Sequence, residues 1–183
     1  MKTPASLVLT LLFTLSSLHA GDWKNKLRRE LPLLGHRNWI VIADAAYPWQ
    51  VSPGITTIET GASQTEVVRA VLSQLEKTRH VTPSILIDRE IDAVPEQASP
   101  GIATYRRELT CLLHGKEAVK LPHEEIIRKL DEAGKTFHVL ILKTTMTNPY
   151  TSVFLQLQCG YWDANREREL RHSEQTSSTA NHP

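Results

Sequence analysis

The stretch of sequence that establishes the fold class is LGHRNWIVIADAAYP, residues 34–48. Its centre, Trp39 to Ala43, is a short apolar run rich in β-branched residues and without polar alternation. Such a run is typical of a strand that is covered on both faces of a sheet. Gly35 and His36 come just before the run and Asp44 ends it, so polar side chains mark both ends of the predicted strand.

Further buried strands are predicted along the chain, and helical patterns alternate with them. The strands are SILID at 84–88, FHVLIL at 137–142, TSVFLQL at 151–157 and a short ITTI at 55–58. The apolar spacing predicts helices from Trp23 to just before Pro32, and over 65–77, 102–114 and 123–133. Partial alternation in the last strand indicates a more exposed position in the sheet. Because the order is not a strict βαβ repeat, we expect a layered α/β fold with a mixed sheet.

Length and charge restrict the class of protein. The 183 residues (20.6 kDa) suggest one domain, and 40% apolar with 22% charged residues is ordinary for a globular chain. Lys and Arg number 21 against 20 Asp and Glu. Without a basic excess there is no electrostatic footprint of a nucleic-acid binder, so we expect no nucleic-acid partner.

Residues 1–20 are expected to form a signal peptide. An apolar stretch of about a dozen residues lies within it, shorter than the roughly 20 that span a bilayer, and Ala20 resembles a cleavage site. The competing interpretation is a buried N-terminal helix. The predicted organisation is then a signal at 1–20, one domain at 21–163 and a polar, disordered tail at 164–183. We expect an exported protein, periplasmic or secreted, with no membrane span after signal removal.

Export would permit a disulfide between the two cysteines, Cys111 and Cys159. The alternative is that both are small buried hydrophobic residues. The sequence alone leaves both interpretations open.

Known catalytic and nucleotide-binding motifs are missing from the sequence. It contains no G-x-G-x-x-G, P-loop, G-x-S-x-G or H-E-x-x-H pattern. His123-Glu124-Glu125 begins like the last of these, but Ile127 stands where the second metal-binding histidine would lie. We therefore expect no metal ligands and no catalytic metal.

Three residues at predicted strand ends are candidates for acid–base chemistry: His36, Asp44 and Tyr150. In layered α/β proteins, sites collect where strand ends open into loops. An imidazole titrates near neutral pH and passes protons both ways, a carboxylate binds sugar hydroxyls, and a phenol both donates and accepts. Each also has an ordinary structural interpretation: a loop histidine, a turn-capping aspartate and a half-buried aromatic residue.

Several segments together resemble one family. Three parts of the opening stretch, LGH at 34–36, IVIADA at 40–45 and YP at 47–48, resemble the signature of one family. This is the D-ribose pyranase / L-fucose mutarotase family, also called RbsD/FucU. His123-Glu124 resembles the H-E segment of the pyranase branch, and Asn148-Pro149-Tyr150-Thr151-Ser152 resembles the family's P-Y-x-N segment. The order of elements matches from about residue 27 to residue 160.

The resemblance implies a single-domain, three-layer α/β/α fold and a ring-like homo-oligomer with sites between neighbouring subunits. It implies an isomerase that interconverts cyclic forms of a free monosaccharide, such as ribose or fucose, by acid–base catalysis without a cofactor. His36 would be the general acid/base. Asp44 would bind a sugar hydroxyl, and His123, Tyr150 and Ser152 would make further substrate contacts.

Two departures from the family pattern keep other interpretations open. Ser152 stands where the family has Asn, and a hydroxyl cannot present the donor–acceptor pair of an amide. Family members are expected to be cytoplasmic and to end soon after the last strand, whereas this chain has an apparent signal and a tail. The alternatives are a non-catalytic sugar-binding or scaffold protein with the family fold, and an unrelated exported α/β domain with chance motifs.

Overall fold

The computed structural model describes residues 22–180, with side chains up to residue 174. The predicted signal peptide therefore lies outside the described residues. The helices are α1 Asp22–Glu30, α2 Gln64–Leu75, α3 Ile102–Leu112, α4 His123–Ala133 and α5 Ala164–Ala180, with 3-10 turns at Leu31–Leu33 and Arg89–Asp92. The strands are β1 Trp39–Ala43, β2 Ile55–Glu59, β3 Val81–Asp88, β4 Ala118–Leu121, β5 Val139–Lys143 and β6 Val153–Cys159. No helix within residues 22–180 has both the length and the hydropathy that crossing a membrane requires.

The six strands form one mixed sheet in the order β2-β5-β1-β6-β3-β4. Parallel pairing joins β1 to β5, β2 to β5 and β3 to β4. Strand β6 is antiparallel to both of its neighbours, β1 and β3. Five strands therefore point the same way, and the amino end of β6 lies at the same edge as the carboxyl ends of β1, β3 and β4.

Two apolar cores cover the two faces of the sheet and make three layers. One contains Trp23, Val67 and Tyr105 from α1, α2 and α3, packed on side chains such as Ile40 and Leu155. The other is smaller. In it, α4 contributes Ile126 and Leu130 to a cluster with Trp39, Val41, Ile141 and Phe154 from the central strands. The prediction of a three-layer α/β/α fold with a mixed sheet is confirmed.

The position of β6 differs from the prediction. Its partial alternation indicated an exposed strand, but it lies between β1 and β3, and Val153, Phe154 and Leu155 are fully buried. Polar Gln156 and Gln158 lie in the second half of the strand, where both are only partly buried. The alternation therefore reflects only the partly exposed second half of β6. The first half of β6 lies in the centre of the sheet. The short edge strand β4 was also not predicted from the sequence.

The predicted disordered tail contains a helix, α5, over Ala164–Ala180. Asp163 caps its start by accepting hydrogen bonds from the backbone N–H groups of Asn165 and Arg166, both at 2.9 Å. Glu167 and Arg171 form an i,i+4 ion pair at 2.8 Å. The sequence of α5 has no apolar stripe, so its hydrophobic pattern does not predict a helix. Capping and charge pairs stabilise the helix instead.

Both cysteines are free in the structure. Cys111 is exposed on α3, and Cys159 is half-buried at the end of β6. The two sequence-based alternatives, a disulfide and a pair of buried thiols, therefore both fail for Cys111.

Candidate active site

One edge of the sheet collects most of the predicted site residues. Asp44 follows β1, Asp88 ends β3, and Ser152 precedes β6. The registers pair Ile42 and Ile87 with Val153 from either side. Ser152 therefore lies between the two aspartates, which are two strand spacings or about 10 Å apart along the edge.

Asp44 is half-buried and held by two groups. Its Oδ1 accepts a hydrogen bond from the backbone N–H of Ala46 at 2.9 Å, and its Oδ2 accepts one from the Ser152 hydroxyl at 3.2 Å. The first contact is the turn-capping role that the sequence left open for Asp44. Ser152 is only 2% exposed, so its hydroxyl serves to orient the Asp44 carboxylate.

His123 is the first residue of α4, and both its backbone and its ring are anchored. Its backbone N–H is shared by the two carboxylate oxygens of Glu90, at 3.2 and 3.1 Å. Its ring Nδ1 lies 3.1 Å from Oδ1 of Asp88. The other ring nitrogen, Nε2, bonds to none of the described residues, and one third of the side chain is exposed. His123 can therefore offer Nε2 to a ligand.

Tyr150 lies beside His123. The two rings meet edge to face with their centroids 5.5 Å apart, and Tyr150 is 38% exposed. Its backbone has a positive φ of 58°, a strained conformation for a non-glycine residue. The turn is fixed by Asn148, whose side chain donates to Ser99 Oγ at 2.6 Å and whose carbonyl accepts from the Thr151 hydroxyl at 2.8 Å.

A buried polar network supports this edge from inside the sheet. Gln64 at the start of α2 donates through Nε2 to the carbonyls of Ile42 and Thr151, at 3.0 and 2.8 Å. Its Oε1 accepts from the Thr144 hydroxyl at 2.6 Å. The Tyr105 hydroxyl also donates to the Thr151 carbonyl, at 2.6 Å. These bonds tie the end of β1 to the segment that carries Tyr150 and Ser152.

Asp88 is the most perturbed carboxylate at the edge. It is 1% exposed, and burial, opposed by the hydrogen bond and charge of His123, raises its pKa to about 6. The charges of Glu90 and Asp44 act in the same direction as burial. Its second oxygen, Oδ2, is buried and has no partner within residues 22–174. An acid with this pKa exchanges its proton near neutral pH, as groups in active sites do.

The raised pKa of Asp88 predicts how the stability of the fold depends on pH. Between about pH 4 and 6 the folded chain holds a proton on Asp88 that the unfolded chain releases, so this residue's contribution to stability falls as pH rises. We expect Asp88→Asn to remove that fall. Relative to the variant, the native protein should lose up to about 3 kcal/mol of unfolding free energy between pH 4 and pH 7. Urea denaturation at both pH values measures the difference, and parallel pH dependences would contradict it.

His36 does not join the other predicted residues within one chain. It precedes β1 while Asp44 follows it, and the five strand residues between them span roughly 16 Å. Within one chain, His36 and Asp44 therefore lie at opposite ends of β1 and do not share a site. His36 is exposed at the opposite edge, beside a surface depression of about 530 Å³ that Arg128 and Phe137 also line.

The turn that carries His36 is nevertheless well defined. The backbone N–H of Asn38 donates to the Gly35 carbonyl at 3.1 Å, and the Asn38 side chain accepts from the Gly35 N–H at 2.6 Å. Arg37 has a φ of 74°, the sign that the third residue of a type II turn requires. This turn presents the His36 side chain outward from the edge of the sheet.

A family model, the RbsD / FucU transport protein family, matches residues 23–160. The chain belongs to this family. The match covers the whole sheet and helices α1 to α4, so the resemblance drawn from the sequence is confirmed. Enzymes of the RbsD / FucU family are isomerases of the mutarotase and pyranase type, as the sequence predicted. No protein of curated function has a matching sequence.

Solved structures of related proteins were compared with this chain. RbsD of Bacillus subtilis, determined with D-ribose, has a TM-score of 0.52 and 22% identity, over 72% of this chain and 89% of that one. The fucose mutarotase of Streptococcus pneumoniae, determined with L-fucose, has a TM-score of 0.48 and 22% identity over the same shares of the two chains. The RbsD comparison supports the α/β/α fold of this RbsD / FucU chain.

Two residues of this candidate site were not predicted from the sequence. Asp88 ends a predicted strand just as Asp44 does, so its position was an available signal. Gln64 offered none, since a polar residue at a helix start is ordinary, and only the fold shows that it is fully buried. Among the described residues, no three His, Cys, Asp or Glu side chains are grouped to hold a metal ion.

Proposed function

We propose that this chain is a monosaccharide mutarotase or pyranase that interconverts cyclic forms of a free sugar by acid–base catalysis without a cofactor. The observation that carries the proposal is the convergence of Asp44, His123 and Tyr150 at one edge of the sheet in a member of the RbsD / FucU family. Asp44 and Tyr150 would bind sugar hydroxyls, and His36 would be the general acid/base.

The chemistry needs two proton transfers. A base removes the proton of the anomeric hydroxyl while an acid protonates the ring oxygen, the bond between the anomeric carbon and the ring oxygen breaks, and the open-chain aldehyde forms. Reclosure on either face, or by another hydroxyl, gives the other anomer or ring size, and both protons return. Such acid–base catalysis contributes typically ~10²–10⁴-fold.

We infer that a complete site needs two copies of the chain. His36 is exposed at one edge of the sheet, and the cluster of Asp44, His123 and Tyr150 lies at the opposite edge. Contact between opposite edges of two copies is a head-to-tail interface, which closes into a ring when the rotation permits. The geometry therefore supports the ring-like homo-oligomer with shared sites that the family resemblance implies.

Saturation-transfer NMR on ribose and fucose tests the proposal. Added protein should speed exchange between anomers, or between pyranose and furanose forms, well above the rate in buffer. The experiment needs no coupled enzyme and no knowledge of the physiological sugar. Exchange no faster than in buffer, across a panel of pentoses and 6-deoxyhexoses, would contradict an isomerase.

A non-catalytic sugar-binding protein is the second candidate, and Ser152 favours it. Where the family has Asn, the Ser152 hydroxyl is buried against Asp44 and does not reach outward. The site therefore has one side chain fewer that can form a hydrogen bond to a sugar. Calorimetric binding of a monosaccharide without accelerated exchange would select this function.

Ser152→Ala should weaken the proposed activity modestly. The change removes the hydroxyl that orients Asp44 Oδ2, a bond worth about 1 kcal/mol, so we expect kcat/KM to fall about fivefold. Thr145→Ala is the control. The hydroxyl of Thr145 also donates a hydrogen bond, to the carbonyl of Ala62, but Thr145 is exposed and does not hydrogen-bond to Asp44. An unchanged rate in Ser152→Ala would show that Asp44 does not depend on this contact.

Export of the protein is also a proposal. It rests on the apolar stretch within residues 1–20 and on Ala20 as a cleavage position. N-terminal sequencing of the protein recovered from its native host should begin at Gly21. A purified chain that begins at Met1 would contradict processing.

A further inference from the structure

Asp88 and His123 form a pair that the proposed chemistry has not yet used. Asp88 is buried at the end of β3, and its Oδ1 lies 3.1 Å from Nδ1 of His123 at the start of α4. A buried carboxylate is normally satisfied by several donors, yet Oδ2 of Asp88 is buried and has no partner among the residues the structure describes. A carboxylate kept in this position at such a cost in solvation needs a reason beyond packing.

We propose that Asp88 is a positioning residue that sets the tautomer and orientation of His123, so that His123 Nε2 acts as a proton acceptor for the anomeric hydroxyl of the sugar. The proposal rests on the proposed function. It adds a second histidine to the proton transfers and a carboxylate that does not touch the substrate.

The tautomer follows from the contact. An ionised Asp88 has only acceptors, so His123 Nδ1 must carry the hydrogen that it donates. In the neutral imidazole, Nε2 then has a free lone pair. Because Nε2 has no partner among residues 22–174 and the side chain is one-third exposed, that lone pair faces outward.

Two further contacts fix the ring. Both carboxylate oxygens of Glu90 accept a hydrogen bond from the backbone N–H of His123. The rings of His123 and Tyr150 meet edge to face, with their centroids 5.5 Å apart. The backbone N–H, the ring Nδ1 and the ring plane of His123 are therefore all held by contacts. The base is oriented before the sugar binds, which is how positioned groups lower a barrier.

Proton balance is complete with the groups named. His123 Nε2 accepts the anomeric proton as the ring bond breaks, and the general acid protonates the ring oxygen. On reclosure His123 returns its proton to the former carbonyl oxygen, and the acid regains its own. Asp88 stabilises the imidazolium form of His123 through the existing hydrogen bond and takes part in no bond to the sugar.

The charged and titratable groups around Asp88 come from several elements. His123 faces it from α4, Glu90 follows it in the 3-10 turn, and Asp44 acts from the end of β1. Tyr47, in the loop after β1, is buried near enough for the charge of Asp88 to contribute to the raised pKa of its phenol. Of these groups, only His123 opposes the burial of the Asp88 charge.

Asp88→Asn tests the proposal, with Asp92→Asn as the matched control. Asparagine keeps the shape of Asp88 but can donate to Nδ1, which moves the hydrogen of His123 to Nε2. Asp92 lies four residues further on, and its carboxylate pairs with Lys120 at the surface. Nitrogen-15 NMR of the imidazole reports the tautomer in the full-length protein, with or without sugar exchange.

In the native protein we expect the hydrogen on Nδ1, and in Asp88→Asn on Nε2. We also expect kcat to fall about tenfold or more with KM little changed. Asp92→Asn should match the native protein in every measurement. A tautomer that does not respond to Asp88→Asn would overturn the proposal, and so would an unchanged kcat in a protein that accelerates exchange. A native protein that speeds no exchange would instead refute the proposed function, while the tautomer still decides the role of Asp88.

Discussion

His36→Ala should reduce the sugar exchange rate by about 10²-fold or more, because it removes the general acid/base from every site. His36 is exposed on a turn that Gly35 and Asn38 hold by backbone and side-chain bonds, so its ring can be removed without disturbing the core. The loss should fall on kcat more than on KM, since Asp44 and Tyr150 remain. Saturation-transfer NMR measures both at several sugar concentrations.

His114→Ala is the control for this variant. His114 is also exposed, but it lies just after α3 and belongs to neither half of the proposed site. It should leave exchange unchanged. If His36→Ala and His114→Ala are equally active, His36 takes no part in proton transfer and the acid must lie elsewhere.

Gln64→Leu should lower the free energy of unfolding by about 2–4 kcal/mol. The variant keeps the volume but removes the donor to the carbonyls of Ile42 and Thr151 and the acceptor for Thr144. The Ile42 carbonyl and the Thr144 hydroxyl lie in the core, where a lost hydrogen bond is not replaced by water. Because Thr151 joins Tyr150 to Ser152, the loss should also reduce activity in the protein that remains folded.

Gln97→Leu is the matched substitution at an exposed position, and we expect it to change stability by less than about 0.5 kcal/mol. Urea denaturation of both variants gives the comparison. Equal stabilities would show that the three bonds of Gln64 contribute nothing net to the fold.

The sequence predicted the fold well where the signal was hydrophobic and local. The buried run at Trp39–Ala43 and the helix at His123–Ala133 were predicted with their observed bounds. Prediction failed where long-range pairing decides. The position of β6 in the centre of the sheet follows from its antiparallel contacts with β1 and β3, which no local pattern carries. Helix α5 was missed because its support is capping and charge rather than burial.

The candidate site was predicted in part, for a related reason. The ends of a strand can be predicted from the sequence, so Asp44 and the residues before β6 were identified. The sequence pattern does not distinguish residues at the two opposite ends of one strand. His36 and Asp44 were therefore both candidates, but the sequence did not show that they lie at opposite ends of β1. Asp88 was passed over because its importance lies in its contact with His123, 35 residues away in the chain.

Mixing two inactive variants tests the shared site most directly. His36→Ala and Asp44→Asn, each inactive alone, are unfolded together in equal amounts, refolded and assayed for sugar exchange. If each site takes His36 from one copy and Asp44 from another, about one quarter of the randomly assembled sites are intact, and we expect about one quarter of the activity of native protein treated in the same way. A mixture no more active than either variant alone, beside native protein that recovers fully, would contradict a site shared between two copies.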